Sequence, residues 1–172
     1  QLTSFLSENG IPVPMKLGFE GDILPVQMFE RYKRSMEGVS FTDASMILRS
    51  VRTVKSDFER DCIRKAGAQV AAVMEGLSDV IQPGVREIDV AAEAEKIARK
   101  CGHQGLIRMR AFNAELFYGV VCSGPSANAP TSFDGPSGSE GLYPSAIHPA
   151  GERMVEASKP LLVDFMGAHM GY

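Results

Sequence analysis

The sequence predicts an α+β chain in which helices cover one face of a curved antiparallel sheet. Three observations lead there. Residues 54–82 place apolar side chains at three- and four-residue steps, residues 87–100 repeat that period with smaller side chains, and after Gly105 the period drops to two. The composition, 44% apolar and 23% charged over 172 residues, is that of a folded chain long enough for one ordinary domain, or for one small domain and part of another.

The elements follow in order. Ser4 to Asn9 carries Phe5 and Leu6 and reads as the end of a helix, stopped at Gly10. Lys16 to Glu20 is a short strand. From Pro25 to Met36, the residues Val26, Met28, Phe29 and Tyr32 share one helix face, and Pro25 suits the first turn because its missing N–H is not needed there. Val39 to Thr42 alternates as a strand, and Ser45 to Val51 is an amphipathic turn or short helix. This α/β piece is too small to hold a full core of its own. Val54 to Gln82 is the clearest helix, with Ile63, Ala66, Val70, Val73, Leu77, Val80 and Ile81 in one stripe and Asp57 and Glu59 near its positive end. Pro83 and Gly84 end it. Gly67 and Gly76 each weaken a helix by about 1 kcal/mol relative to Ala, so both are expected to mark close approach of another backbone. Glu87 to Lys100 is a second helix, rich in Ala and stopped at Gly102.

Leu106 to Arg110 and Glu115 to Cys122 are expected to be antiparallel neighbours joined by 111–114. Residues 123–151 fill with Gly, Ser and Pro, which makes a long loop, and its Phe133 and Tyr143 favour an ordered, functional one. Leu161, Leu162 and Val163 then form a short buried strand that ends on Asp164. A carboxylate there is costly to bury unless something pairs with it. A metal cation, a salt bridge, a cap and solvent are all answers open to it. His103 lies just past a helix end, where a protonated imidazole would favour the dipole. His169 is expected on the side of the strand opposite Asp164. Arg108 and Arg110 alternate on one face, for acidic partners, a substrate carboxylate or solvent. Glu115 and Asp134 lie near the loop. Met109, Met154, Met166 and Met170 are expected as gap-filling core.

The net charge of −3, a pI near 5.7 and the lack of any basic stripe exclude a nucleic-acid partner. No secretory pattern and no apolar run of spanning length occur, so no membrane is expected and a cytoplasmic location is. Cys62, Cys101 and Cys122 are odd in number and far apart, as free thiols in a reducing compartment would be, and not at zinc-site spacing. The chain opens mid-pattern at Gln1 and closes at Tyr172 without a sequel to its last strand, so it is expected to be a piece of a longer protein.

Lys55-Ser-Asp57, Ile63-Arg-Lys-Ala-Gly67, Ile81-Gln-Pro-Gly84 and Val85-Arg-Glu87, in this order and spacing, resemble the start of the pita-bread catalytic domain of aminopeptidase P, Xaa-Pro dipeptidase (prolidase), methionine aminopeptidase and creatinase. Val120-Val-Cys-Ser-Gly-Pro125 resembles the strand and turn leading into that domain's active-site loop. Leu161 to Ala168, with Gly171 and Tyr172, resembles the strand bearing its first metal-binding aspartate. The resemblance implies a partial pita-bread fold, with residues 1–53 as the C-terminal part of the smaller N-terminal domain and 54–172 as the first half of the catalytic domain.

It also implies chemistry. Members of this superfamily hold two divalent ions, often Mn, Co or Zn, with two Asp, one His and two Glu, and use them to activate water on a carbonyl. Asp164 would be the first aspartate, and the other four ligands would fall beyond Tyr172. The chain as given is therefore expected to bind no metal and to be inactive alone. The peptidase branch carries a loop His. Thr131 stands where that His is expected, while His148, sixteen residues before Asp164, lies near its usual spacing. Both are kept as candidate catalytic residues. The implied activity is that of an Xaa-Pro aminopeptidase or dipeptidase, with short peptides bearing proline second as substrates, acting as a homodimer. A creatinase-like C–N hydrolase and a non-catalytic binding protein on the same fold are the alternatives. The strand Leu161 to Phe165 is expected to carry an unpaired edge, open to dimerisation or swapping.

Overall fold

The computed structural model describes residues 2–131, 138–143 and 150–172. The chain divides into two compact units, Gln1–Ser56 with Met109–Ala114, and Asp57–Arg108 with Glu115–Tyr172. No helix among the described residues is long and apolar enough to cross a membrane.

The first unit runs α1 (Leu2–Glu8), β1 (Lys16–Phe19), α2 (Val26–Ser35), β2 (Ser40–Asp43) and α3 (Ser45–Thr53). Pro25 is the N-cap of α2, one position ahead of the first-turn place expected for it. β1 and β2 pair in parallel with Leu17 opposite Phe41. Phe29 of α2 bridges the pair, its ring 4.3 Å from Phe19 and 5.6 Å, edge-on, from Phe41. The packing is thin. Met36 is the buried hydrophobic side chain among the described residues of this unit, and an apolar cavity of about 450 Å³ opens between Leu6, Leu17, Phe19, Leu24, Phe29 and Phe41. Arg110 donates to Glu20 at 2.9 Å and to both oxygens of Asp22, which Arg49 also reaches. These cations hold the Asp22 carboxyl well below the usual range, Arg110 foremost.

The second unit carries the main core. Its elements are α4 (Asp57–Leu77), α5 (Glu87–Lys100), the hairpin β3 (Ile107–Arg108) and β4 (Glu115–Leu116), then β5 (Gly119–Ser123), a 3₁₀ turn (Gly124–Asn128) and β6 (Leu161–Phe165). β5 and β6 are antiparallel, with Val121 opposite Val163. Val73 and Leu77 of α4, Val90, Ala94 and Ala98 of α5 and Val121 of β5 form one buried cluster, joined by Ala150 and Val155. Leu161, Val163, Phe165 and Tyr118 pack against it. The helices thus lie on one face of the sheet, and burying Leu77 or Val73 contributes roughly 1.5–3 kcal/mol each. Ala94 and Ala98 are fully buried because small side chains let α5 lie close on β5.

Several details differ from the sequence reading. α4 is shorter than 54–82, since the N–H groups of Val80 and Ile81 both turn back to the Leu77 carbonyl. Its buried stripe is Cys62, Ala66, Gln69, Val73 and Leu77, while Ile63 is 44% exposed. Gln69 occupies an inward position because its side-chain oxygen accepts the Ala168 N–H at 2.9 Å. Nothing lies within 4 Å of a Cβ placed on Gly67, and a Cβ on Gly76 would meet only the Ile97 side chain. The close backbone approach is at Gly167 instead, where a Cβ would sit 2.1 Å from the Ala66 carbonyl oxygen. The single strand expected over 115–122 is two, β4 and β5, each with a different partner. Met109, Met154 and Met170 are exposed, and only Met166 of the four is half-buried. Among the described residues β6 pairs only with β5.

Candidate active-site strand and its loop

The register of β5 on β6 decides where Asp164 points. It lies opposite Val120, and Leu162 lies opposite Cys122. Strand alternation puts these four on one face, and Val121, Val163 and Phe165 on the other, which is the face packed on the helices. Asp164 therefore looks away from α4 and α5. It is half-buried beside the fully buried Cys122, whose thiol is pushed up to about 11 by burial and then by the negative charges of Glu87 and Asp164.

The backbone around Asp164 is tightly fixed. A Cβ at Gly119 would lie 2.1 Å from the Asp164 carbonyl oxygen, so only glycine lets the two strands meet there. The Met166 N–H donates to the Tyr118 carbonyl at 2.8 Å. His103 then receives the chain. Its Nδ1 accepts the Gly105 N–H at 2.9 Å, which leaves Nε2–H to donate to the Met166 carbonyl at 3.1 Å. The ring lies 4.5 Å from that of Tyr118 and is 2% exposed. His103 is thus a buried neutral imidazole, not the protonated helix cap expected from its position, and burial holds its pKa below the ordinary value. Ala168 on Gln69 and Gly167 on Ala66 complete the anchorage to α4.

The loop after β5 is gathered around another residue, Glu87, at the start of α5. It is fully buried. Its Oε1 accepts the Ser123 N–H at 2.5 Å, its Oε2 accepts the Gly151 N–H at 3.0 Å, and the Ser126 hydroxyl lies 3.5 Å from Oε2. Ser126 Oγ also accepts the Glu140 N–H at 3.2 Å. The returning chain runs antiparallel to the approach to α5. Gly84 and Val85 exchange bonds with Val155, the Glu87 N–H donates to the Arg153 carbonyl, and the Ile88 N–H donates to Gly151. The first N–H groups of α5, which have no partner within the helix, are satisfied in this way.

The other predicted residues are placed as follows. Thr131 follows the 3₁₀ turn and is half-buried. His148 and Asp134 lie outside the described residues. Arg108 pairs with Glu115 at 2.7 Å. His169 lies beyond the end of β6 and lines a small cleft of about 350 Å³ with Lys65, Gln69 and Cys101 of the helical layer. Among the described residues no group of three or more His, Cys, Asp or Glu is placed to hold a metal ion. Asp164 is one donor, and a divalent ion needs several, so these residues do not by themselves form a metal centre. Sequence reasoning missed Glu87, Ser126 and Gln69 as organisers. The one available signal was a glutamine lying in step with Ala66 and Val73 on an apolar stripe.

Comparison with known proteins agrees with this architecture. The chain is 33% identical over 87 residues to a probable dipeptidase, PepE, of Mycobacterium tuberculosis, a match covering 51% of this chain and 20% of that protein. The X-Pro aminopeptidase of Thermotoga maritima superposes with a TM-score of 0.71 at 19% identity, covering 98% of this chain and 39% of that one. An Xaa-Pro dipeptidase of Bacillus anthracis superposes with a TM-score of 0.64 at 26% identity, covering 96% and 39%. The fold is thus the pita-bread fold of these enzymes, and the chain spans well under half the length of each. Residues 1–54 match the creatinase/prolidase N-terminal domain. Residues 61–172 match metallopeptidase family M24, and the chain belongs to that family.

Proposed function

We propose that this chain is part of a metal-dependent peptidase that cleaves the bond between an N-terminal residue and proline in short peptides. The observation that carries the reading is the placement of Asp164, half-buried on the sheet face away from the helices and fixed on both sides by Gly119 and by the His103–Met166 contact. Asp164 supplies one ligand of the metal pair. The described residues do not complete that set. Residues 1–53 then form part of the N-terminal domain and 54–172 part of the catalytic domain. Thr131, three residues past the turn after β5, and His148 are the residues of this chain that would meet the peptide.

The test is metal content and turnover of Xaa-Pro peptides in a polypeptide carrying this chain and the rest of the family's catalytic domain, beside Asp164→Ala. Loss of bound metal and a fall in kcat/KM on the order of 1,000-fold, about 4 kcal/mol of barrier, is the expected result. Metal and turnover unchanged in the variant would remove Asp164 from the site. Thr131, standing where the peptidase branch has a His, keeps a creatinase-like C–N hydrolase as the second reading, and creatine belongs in the same assay as a competing substrate.

A further inference from the structure

We infer that Glu87 is a positioning residue that ties together the two ends of the loop between β5 and β6, and so fixes the path by which the chain leaves the strand paired with Asp164. The inference rests on the peptidase reading only in taking that loop as part of the substrate site. Glu87 is fully buried, and an unpaired buried carboxylate is expensive. It is offset by donors from both ends of one loop, the Ser123 N–H where the chain leaves β5 and the Gly151 N–H where it returns. Charge-assisted bonds of this kind are about twice as strong as neutral ones. Its place in the first turn of α5 adds the favourable end of the helix dipole.

The loop's described parts converge on the same point. Ser126 and Ser139 are both fully buried, and Ser126 Oγ holds the Glu140 N–H. Arg153 grips the Glu140 carboxylate with two nitrogens, and the Arg153 carbonyl accepts the Glu87 N–H. A Cβ on Gly151 would sit 2.7 Å from the Gly141 carbonyl oxygen and 3.3 Å from Glu87 Oε2, so the chain passes here without room for a side chain. The carboxylate joins this assembly to Ser123, three positions along β5 from Val120, the residue facing Asp164. A hydrophobic or hydroxyl side chain could fill the same space. Only a group with two acceptor oxygens satisfies both N–H groups at once.

The test is residue-resolved amide hydrogen exchange on this chain, wild type beside Glu87→Gln. Gln keeps the shape but turns one oxygen into an NH₂, which must then face an N–H donor. We expect the Ser123 or the Gly151 amide to exchange at least about tenfold faster in the variant, with Val73, Leu77, Val90 and Ala94 within about twofold of wild type. Unchanged exchange at both amides overturns the inference, and so does a rise spread evenly over α4 and α5, which is a global loss of stability. If Glu87→Gln does not fold, the wild type decides alone. Protection of both amides supports the clamp, and exchange of either at the rate of an unstructured chain refutes it. In an active peptidase the same variant raises KM about tenfold with metal content unchanged, as a displaced loop at the substrate site requires. Loss of metal instead would assign Glu87 a merely structural role. Absence of peptide turnover in the wild type would sink the peptidase reading and leave the exchange result standing.

Discussion

Two glycines give opposite expectations for the same substitution. Gly119→Ala places a Cβ 2.1 Å from the Asp164 carbonyl oxygen and 2.7 Å from the Phe165 Cα, both backbone atoms of β6. Ordinary van der Waals contact begins near 3.4 Å, so β6 must retreat by about 1 Å at Asp164. That retreat strains the Met166–Tyr118 bond, worth about 1 kcal/mol, and opens the cluster in which Val163 and Phe165 pack on the helices. Overpacking alone costs about 1–3 kcal/mol, so a total near 3 kcal/mol is expected. Gly67→Ala meets nothing within 4 Å in mid-α4 and should stabilise by about 1 kcal/mol through helix propensity. Urea unfolding followed by far-UV circular dichroism measures both. With a slope of about 2 kcal/mol per molar, the midpoint should fall by about 1.5 M in the first variant and rise by about 0.5 M in the second. A neutral Gly119→Ala would mean that the β5–β6 register is wrong, and with it the direction in which Asp164 faces.

Stability should depend on pH through His103. Burial depresses its pKa in the folded state, with the Arg99 charge acting in the same direction and the Met166 carbonyl against it. The unfolded chain therefore binds the proton first, so the contribution is complete above pH ~6.5 and is lost as pH falls below that value. His103→Asn should flatten the urea midpoint between about pH 6.5 and 5 relative to wild type, and an unaltered slope there would count against the buried neutral ring. Thiol chemistry is the third check. Cys101 is exposed while Cys62 and Cys122 are buried, the last with its pKa pushed up to about 11. One thiol should react promptly with a disulfide reagent at pH 8 and the other two only after denaturation. Prompt reaction of Cys122 would show that the Asp164 face is more open than described.

The local part of this fold was plain in the sequence. α5 begins and ends where its periodicity and Gly102 place it, and α2 starts directly after Pro25. These are decisions made within a few residues, where period, caps and breakers all act. Asp164 too was visible, as a carboxylate closing an apolar run. What escaped were contacts closed over long sequence distances. Gln69 meets Ala168 across 99 residues, His103 meets Met166 across 63 and Glu87 meets Ser123 across 36. Each is a polar side chain buried because a distant backbone group answers it, and no local pattern encodes the answer. The division of 115–122 into two strands has the same origin, since the break is set by which partner each half meets. The exposed methionines show the converse error, in which apolar character was taken for burial.

The pairing of Gly84–Ile88 with Gly151–Val155 has an evolutionary corollary. It works as a frame: the two margins of a long excursion are stitched to the same helix entrance. Lengthening such an excursion costs little, roughly 0.6 kcal/mol for each doubling. A chain built on this frame can take insertions in that stretch at small cost while β6 keeps its pairing with β5. Differences in length among relatives should accordingly gather between the stitches, while the stitches themselves stay the same.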